Sequence, residues 1–231
     1  MKLSTLLKKH TNLWGERILK GKTEIKRSEF LKDLKEKVVN LRSCKFLFQA
    51  FLEAYPEMKL SWKDDWDKWT KSILNFFAEL GKHYKYQLHV NRKYGILDLN
   101  NEPCEEYLVD LCRCFVDEKA AWIELALESE LSDAQYVESI IDDFAKLTNI
   151  KAYTKIGIFA PKLRDRQKVL DELVAMVAHH EIRIPTEKYL VILILYHGKM
   201  EDESQRIEIA GYEINHLGDL NYLGSKRFPE G

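Results

Sequence analysis

The chain is poor in the features that assign a protein quickly. Of its 231 residues only 4 are cysteine and 5 are proline. Cys44, Cys104, Cys112 and Cys114 fall into no zinc-binding spacing and have no histidine beside them, so they read as reduced, structural thiols. There is no Walker A loop, no nucleotide-binding glycine fingerprint and no Ser-His-Asp signature in usable context. Internal repeats and low-complexity tracts are absent. The longest apolar run, Tyr189–Tyr196, is too short to span a bilayer. The opening MKLSTLLKKH is quickly charged and has no secretory core. A soluble, cytoplasmic protein is expected. Charge of one sign is lacking too: 36 Lys and Arg face 37 Asp and Glu, for a net charge of −1. That argues against avid non-specific binding of nucleic acid, but leaves room for a local basic groove.

What is present is a globular composition, 45% hydrophobic and 32% charged, long enough for one large domain or a core with an appendage. Residues 1–60 are helical in pattern. Ser28 can cap a helix whose apolar positions are Phe30, Leu31, Leu34, Val38 and Leu41, and Pro56 closes the region. We read 1–60 as a helical N-terminal extension and 61–231 as the core domain. A helix is predicted over Asp64–Leu80, with Gly81 as its stop. Strand Tyr84–Val90 and a loop to Pro103 follow. Beyond residue 130 the pattern predicts helix Asp133–Thr148 capped by Ser132, strand Ala152–Phe159, helix Leu163–His180 and strand Tyr189–Tyr196. Ile207–Ile214 reads as an edge strand and the tail after Gly218 as loop. The fold class is α/β, a mixed central β-sheet flanked by helices.

Between these elements lies the most informative stretch, EEYLVDLCRCFVDEKAAWIELALESE over Glu105–Glu130. It reads as a hairpin of strands Tyr107–Phe115 and Trp122–Glu130. Alternate residues face opposite sides, so burying the mostly apolar odd positions together puts Asp110, Glu124, Glu128 and Glu130 on the other face, with Glu124 peripheral to the group. A turn centred near Glu118 sets Asp110 opposite Ala126 and diagonal to Glu128, roughly 7–8 Å away. Crowded carboxylates are costly unless a cation compensates them, so a divalent-metal site is expected. Lys162, Arg164, Arg166 and Lys168 open the helix after strand Ala152–Phe159 and are candidates for phosphate contact.

With Asp110 in YLVDL, Glu128 in LALESE and this order of elements, the chain resembles the PD-(D/E)xK, or restriction-endonuclease-like, nuclease superfamily. The resemblance covers about residues 64–160. It implies a restriction-endonuclease-like core, with a metal-binding Asp on the second strand and an acidic residue on the third. It further implies that Asp110, Glu128 and the Ser129 carbonyl ligate Mg²⁺ (or Mn²⁺), with Glu79 of the first core helix as a further ligand. The activity implied is hydrolysis of DNA phosphodiester bonds by metal-activated water. The family's usual lysine, two residues after the acid, is Glu130 here, an E-x-E variant. Glu130 would orient the water, accept its proton or hold a second ion. Lys146 in DDFAKL is the candidate for a migrated lysine. The expected catalytic set is therefore Asp110, Glu128, Glu130 and Lys146, and the expected partner is DNA, with no membrane and a homodimer left open. The competing reading is a non-catalytic interaction module on the same fold.

Overall fold

The computed structural model describes residues 41–60, 64–84, 86–98, 100, 102–104, 106–116, 121–131, 136–197 and 206–229. The helix predicted after Ser28 lies outside the described residues, as does the Ser132 cap. The elements run α1 (Cys44–Met58), α2 (Trp66–His83), β1 (Gln87–Val90), β2 (Leu111–Val116), β3 (Ala121–Glu130), α3 (Val137–Asn149), β4 (Ala152–Phe159), α4 (Arg166–His179), β5 (Lys188–Tyr196), β6 (Ile207–Asn215) and β7 (Leu220–Phe228). The α/β class holds: among the described residues one sheet carries seven strands in chain order, β1 to β7. β3–β4 and β4–β5 are parallel and the other neighbours antiparallel. Each parallel step needs a crossover, and α3 and α4 supply the two.

The sheet is covered on both faces. Local chemistry starts the first two helices. Ser43 Oγ accepts the Phe46 N–H at 3.3 Å, and the Asp65 carboxylate accepts the Asp67 N–H at 2.9 Å. On one face α1 and α2 bury an aromatic stripe, with Phe51 stacked on Phe77 at 6.0 Å and Tyr55 against Phe228 of β7 at 4.7 Å. α1 belongs to the stretch read as an extension, yet its Phe48 ring fills the hollow left by Gly211 of β6. On the other face α3 buries Val137, Ile140, Phe144 and Leu147. Phe144 contacts Phe159 and Tyr189. β5 lies between parallel β4 and antiparallel β6, and its buried run is what a strand covered on both faces requires.

Several boundaries differ from expectation; β1 begins at Gln87 rather than Tyr84 and α4 at Arg166 rather than Leu163. α1 passes through Pro56 and stops at Lys59, whose φ of 50° makes a left-handed cap. Gly81 does not stop α2. It lies inside the helix, where a Cβ would come within 2.8 Å of Arg113 Cδ, so it makes room for that side chain. β2 begins at Leu111 rather than Tyr107, leaving Asp110 just before the strand. The tail after Gly218 is strand β7, which pairs with β6 and makes β6 interior.

Candidate functional site

The hairpin register brings two of the predicted carboxylates closer together than expected. Leu111 pairs with Leu127 and Cys112 with Ala126, so Asp110 stands beside Glu128 rather than opposite Ala126. The Ser129 N–H donates to Asp110 Oδ2 at 3.0 Å and fixes that carboxylate at the mouth of the hairpin. On the other side Glu128 pairs with Gly157 of β4, whose missing Cβ leaves room for the Phe159 ring.

α3 closes the site from above. Its buried stripe sets the helix on the sheet, and Asp143 and Lys146, one turn apart, flank that stripe. Lys146 Nζ lies 3.8 Å from Glu128 Oε1 and 2.5 Å from Asp143 Oδ1. Lys146 thus arrives beside the acid from a helix, whereas Glu130 occupies the place two residues along β3. By sequence pattern alone Asp143 is a solvated helix residue. The one signal for it is the i,i+3 spacing to Lys146, which gains meaning only when the helix is laid over β3.

The electrostatics follow from burial and crowding. Burial, reinforced by the charges of Asp143 and Glu130, pushes the Asp110 carboxyl up to about 6, against the Ser129 N–H and Lys146, which lower it. Burial and then the Asp110 charge push Glu128 up to about 9, with Lys146 opposing. One ammonium, shared with Asp143, therefore leaves these two carboxyls under-compensated.

Glu79, expected as a ligand, and Glu124, read as peripheral, both lie elsewhere. Glu79 is on α2, which packs on the opposite face from α3, and pairs with Lys82 at 2.9 Å. Glu124 leaves the acidic group because a β-bulge at Arg113/Cys114 breaks the face parity of the hairpin. It is buried, bound by Arg42 through Nε at 2.8 Å and Nη2 at 2.5 Å, and receives the Trp122 indole N–H at 2.9 Å. Ser129 contributes its backbone N–H to the site.

Among the described residues no group of three or more His, Cys, Asp or Glu is arranged to hold a metal ion by itself. The pair that is present consists of hard oxygen donors. Such a pair suits Mg²⁺, which is bound by one or two carboxylates and completes its shell with water and substrate phosphate oxygens. Among the same residues no helix is long and apolar enough to cross a membrane. The chain matches no protein-family model, and no curated protein matches it at a significant level.

Proposed function

We propose that the chain is a Mg²⁺-dependent nuclease that hydrolyses DNA phosphodiester bonds, built on a restriction-endonuclease-like core. The observation that carries this reading is the meeting of Asp110, Glu128 and Lys146 at one point of the sheet. It is supported by the order α2, β1, β2, β3, α3, β4, which is the order the resemblance implies. Asp110 and Glu128 are the side chains that would hold the ion. When bound, the ion supplies charge for the scissile phosphate and lowers the pKa of a water.

The protein's own groups have distinct tasks. Asp110 is held still by the Ser129 N–H, so its free oxygen is presented without reorganisation. Glu130, on the same face of β3 as Glu128, orients the attacking water and accepts its proton. Lys146 brings positive charge to the edge of the carboxylates, where negative charge develops on the phosphate oxygens. Asp143 restrains Lys146 and sets how far its ammonium reaches.

A second reading, a non-catalytic module on the same fold, is favoured by one observation: the Lys146 ammonium is closer to Asp143 than to Glu128. Thermal unfolding in EDTA, Mg²⁺ and Mn²⁺ separates the two, followed by cleavage assays on DNA. The nuclease reading expects a metal-dependent rise in Tm for the wild type and none for Asp110→Asn/Glu128→Gln. It also expects cleavage only by the wild type. Absence of metal-dependent cleavage with DNA present would establish the second reading.

A further inference from the structure

The acidic site creates a problem for its own substrate. A polyanion approaching the mouth of the hairpin meets the carboxylates of Asp110, Glu130 and Asp143, with Lys146 as the cation placed among them. Binding therefore needs cations elsewhere on the same surface. The net charge of −1 hides where they are.

They gather along the edge formed by the carboxyl ends of β4, β5 and β7. β7 runs parallel to β5, because both are antiparallel to β6. Arg227 pairs with Glu208, which pairs with Leu195, so Arg227 lies at the same edge as the end of β5. Lys162 and Arg164 follow the end of β4, and Lys168 lies in the first turn of α4. Glu130 pairs with Phe159 at the end of β4, which places the acidic site on this same edge.

The rim is built rather than scattered. Arg166 Nε donates to the Tyr212 hydroxyl at 2.8 Å and its Nη1 reaches Glu208 at 3.4 Å, which pins the start of α4 to β6. Glu208 is buried and also meets His197 Nε2 at 2.8 Å, with the Arg227 guanidinium 4.0 Å away as a looser ion pair. Asp165 meets Arg164 only loosely, at 3.7 Å, and Arg164 is 79% exposed. Lys162 and Lys168 are also exposed. Tyr222 of β7, 54% exposed, packs on Tyr212 with ring centroids 5.3 Å apart. The remaining acids of α4 nearby, Asp171 and Glu172, lie a turn further from this edge.

We infer that this rim, with Lys162, Arg164, Lys168 and Arg227 as its cations, holds the phosphate backbone of duplex DNA while the acidic site acts on it. The inference rests on the nuclease reading for its substrate. The rim also draws on α4 and β5–β7, which lie outside the 64–160 stretch that carries the resemblance. Strands about 4.8 Å apart put β7 roughly 19 Å from β3. At about 3.4 Å per nucleotide along one strand, that spans five or six nucleotides. One duplex can therefore touch the cations and the carboxylates together. Phosphate contacts of this kind set register and orientation and carry no sequence information.

The test is fluorescence anisotropy of a labelled duplex against salt concentration, in EDTA so that nothing is cleaved. Wild type is compared with Arg164→Ala/Lys168→Ala, with the same pair plus Arg227→Ala, and with Lys151→Ala at the opposite edge of the sheet. Thermal unfolding of each variant checks that Arg227→Ala leaves the fold intact. The double variant touches only exposed side chains and stands alone if Arg227→Ala does not. The rim predicts roughly tenfold or greater loss of affinity and a salt slope shallower by about 0.9 for each phosphate that is no longer neutralised. It predicts no change for Lys151→Ala. An unchanged slope and affinity in the double and triple variants would overturn it, and so would a wild type that binds no duplex. Cleavage in Mg²⁺ is read separately. A wild type that binds through the rim but never cleaves removes the nuclease reading and keeps the rim. A wild type that cleaves, alongside variants that bind as tightly as it does, removes the rim and keeps the nuclease.

Discussion

Glu128 is a buried carboxyl with too little positive charge around it. It is 3% exposed, and burial followed by the neighbouring Asp110 raises it from an ordinary 4.5 to about 9. The folded state therefore keeps a proton that the unfolded chain releases. By linkage, the stability from this group is complete below the ordinary value and is lost as pH rises through the folded one. Asp110 adds a smaller loss of the same sign between 3.8 and about 6. In EDTA, Tm should fall as pH is raised from about 5 to about 9. Glu128→Gln should flatten that fall, because a neutral amide has no proton to lose. A wild-type Tm that climbed over this window would contradict the assignment. Lys146 is the second residue with a decisive role. It is 48% exposed, so Lys146→Ala should leave the fold intact. Metal-dependent cleavage should drop by about 10²–10⁴, the range for losing a positioned acid, base or charge-stabilising group. Single-turnover rates on one duplex would measure it, and a wild-type rate would remove Lys146 from the site.

Elements dock here through hollows that single residues leave. A Cβ on Gly211 would sit 2.6–2.7 Å from three atoms of the Phe48 ring, so Gly211→Ala should push α1 off β6. The cost should be about 1–3 kcal/mol, the usual range for overpacking, measured by urea unfolding. The bulge in the hairpin has a similar consequence for charge. Arg113 is buried, its Nε and Nη1 meet no hydrogen-bond partner, and burial lowers its pKa to about 10. Glu124 is the carboxylate that favours its charged form, and it also holds Arg42. Glu124→Ala should therefore destabilise by about 3–5 kcal/mol, as expected when a buried ion pair loses one partner. A change under 1 kcal/mol would show that Arg113 needs no counter-charge. None of this is legible in sequence. Arg113 is one polar residue in an apolar set, and parity alone puts Glu124 among the acids. Strand β4 is legible to the residue, because Ala152–Phe159 is mostly apolar and rich in aromatic and β-branched residues between a helix end and Pro161. Strand β7 is not. LNYLGSKRF is exposed on much of its length and has one strand partner, so it carries neither a continuous apolar run nor a clean alternation. That Asp110 and Glu128 are neighbours is legible, because it needs only the local hairpin, although the register that sets them directly side by side is not. Asp143 needs the docking of α3, which no local pattern encodes.

Across the whole molecule, stability and the two proposed binding surfaces occupy different parts of the sheet. β5 is flanked by β4 and β6 and covered on both faces, with Leu190 to Leu195 fully buried. β1 and β7 are the edges, and β7 is largely exposed. Amide hydrogen exchange should therefore be slowest in β5, at rates that track global unfolding, and fastest in β1 and β7. Ligands should then change this map in two separable ways. Mg²⁺ alone should slow exchange around Leu111 and Glu128–Glu130, because Asp110 and Glu128 are the residues that would hold the ion. Duplex DNA in EDTA should instead slow residues 162–168 and Ser225–Arg227, because phosphates would engage the rim without the ion. DNA with a non-catalysing divalent ion should show both patterns together. Slowing spread evenly over β5 in every case would mean only that the ligand stabilises the folded state as a whole, as any ligand selective for it does. The local patterns are the discriminating result, because the metal site lies on β2 and β3 whereas the rim starts beyond the end of β4 and reaches β7, about four strand spacings from β3. A molecule with this division can hold a polyanion along one edge of its sheet and bring it to the buried carboxyls on β3 and before β2 at that same edge.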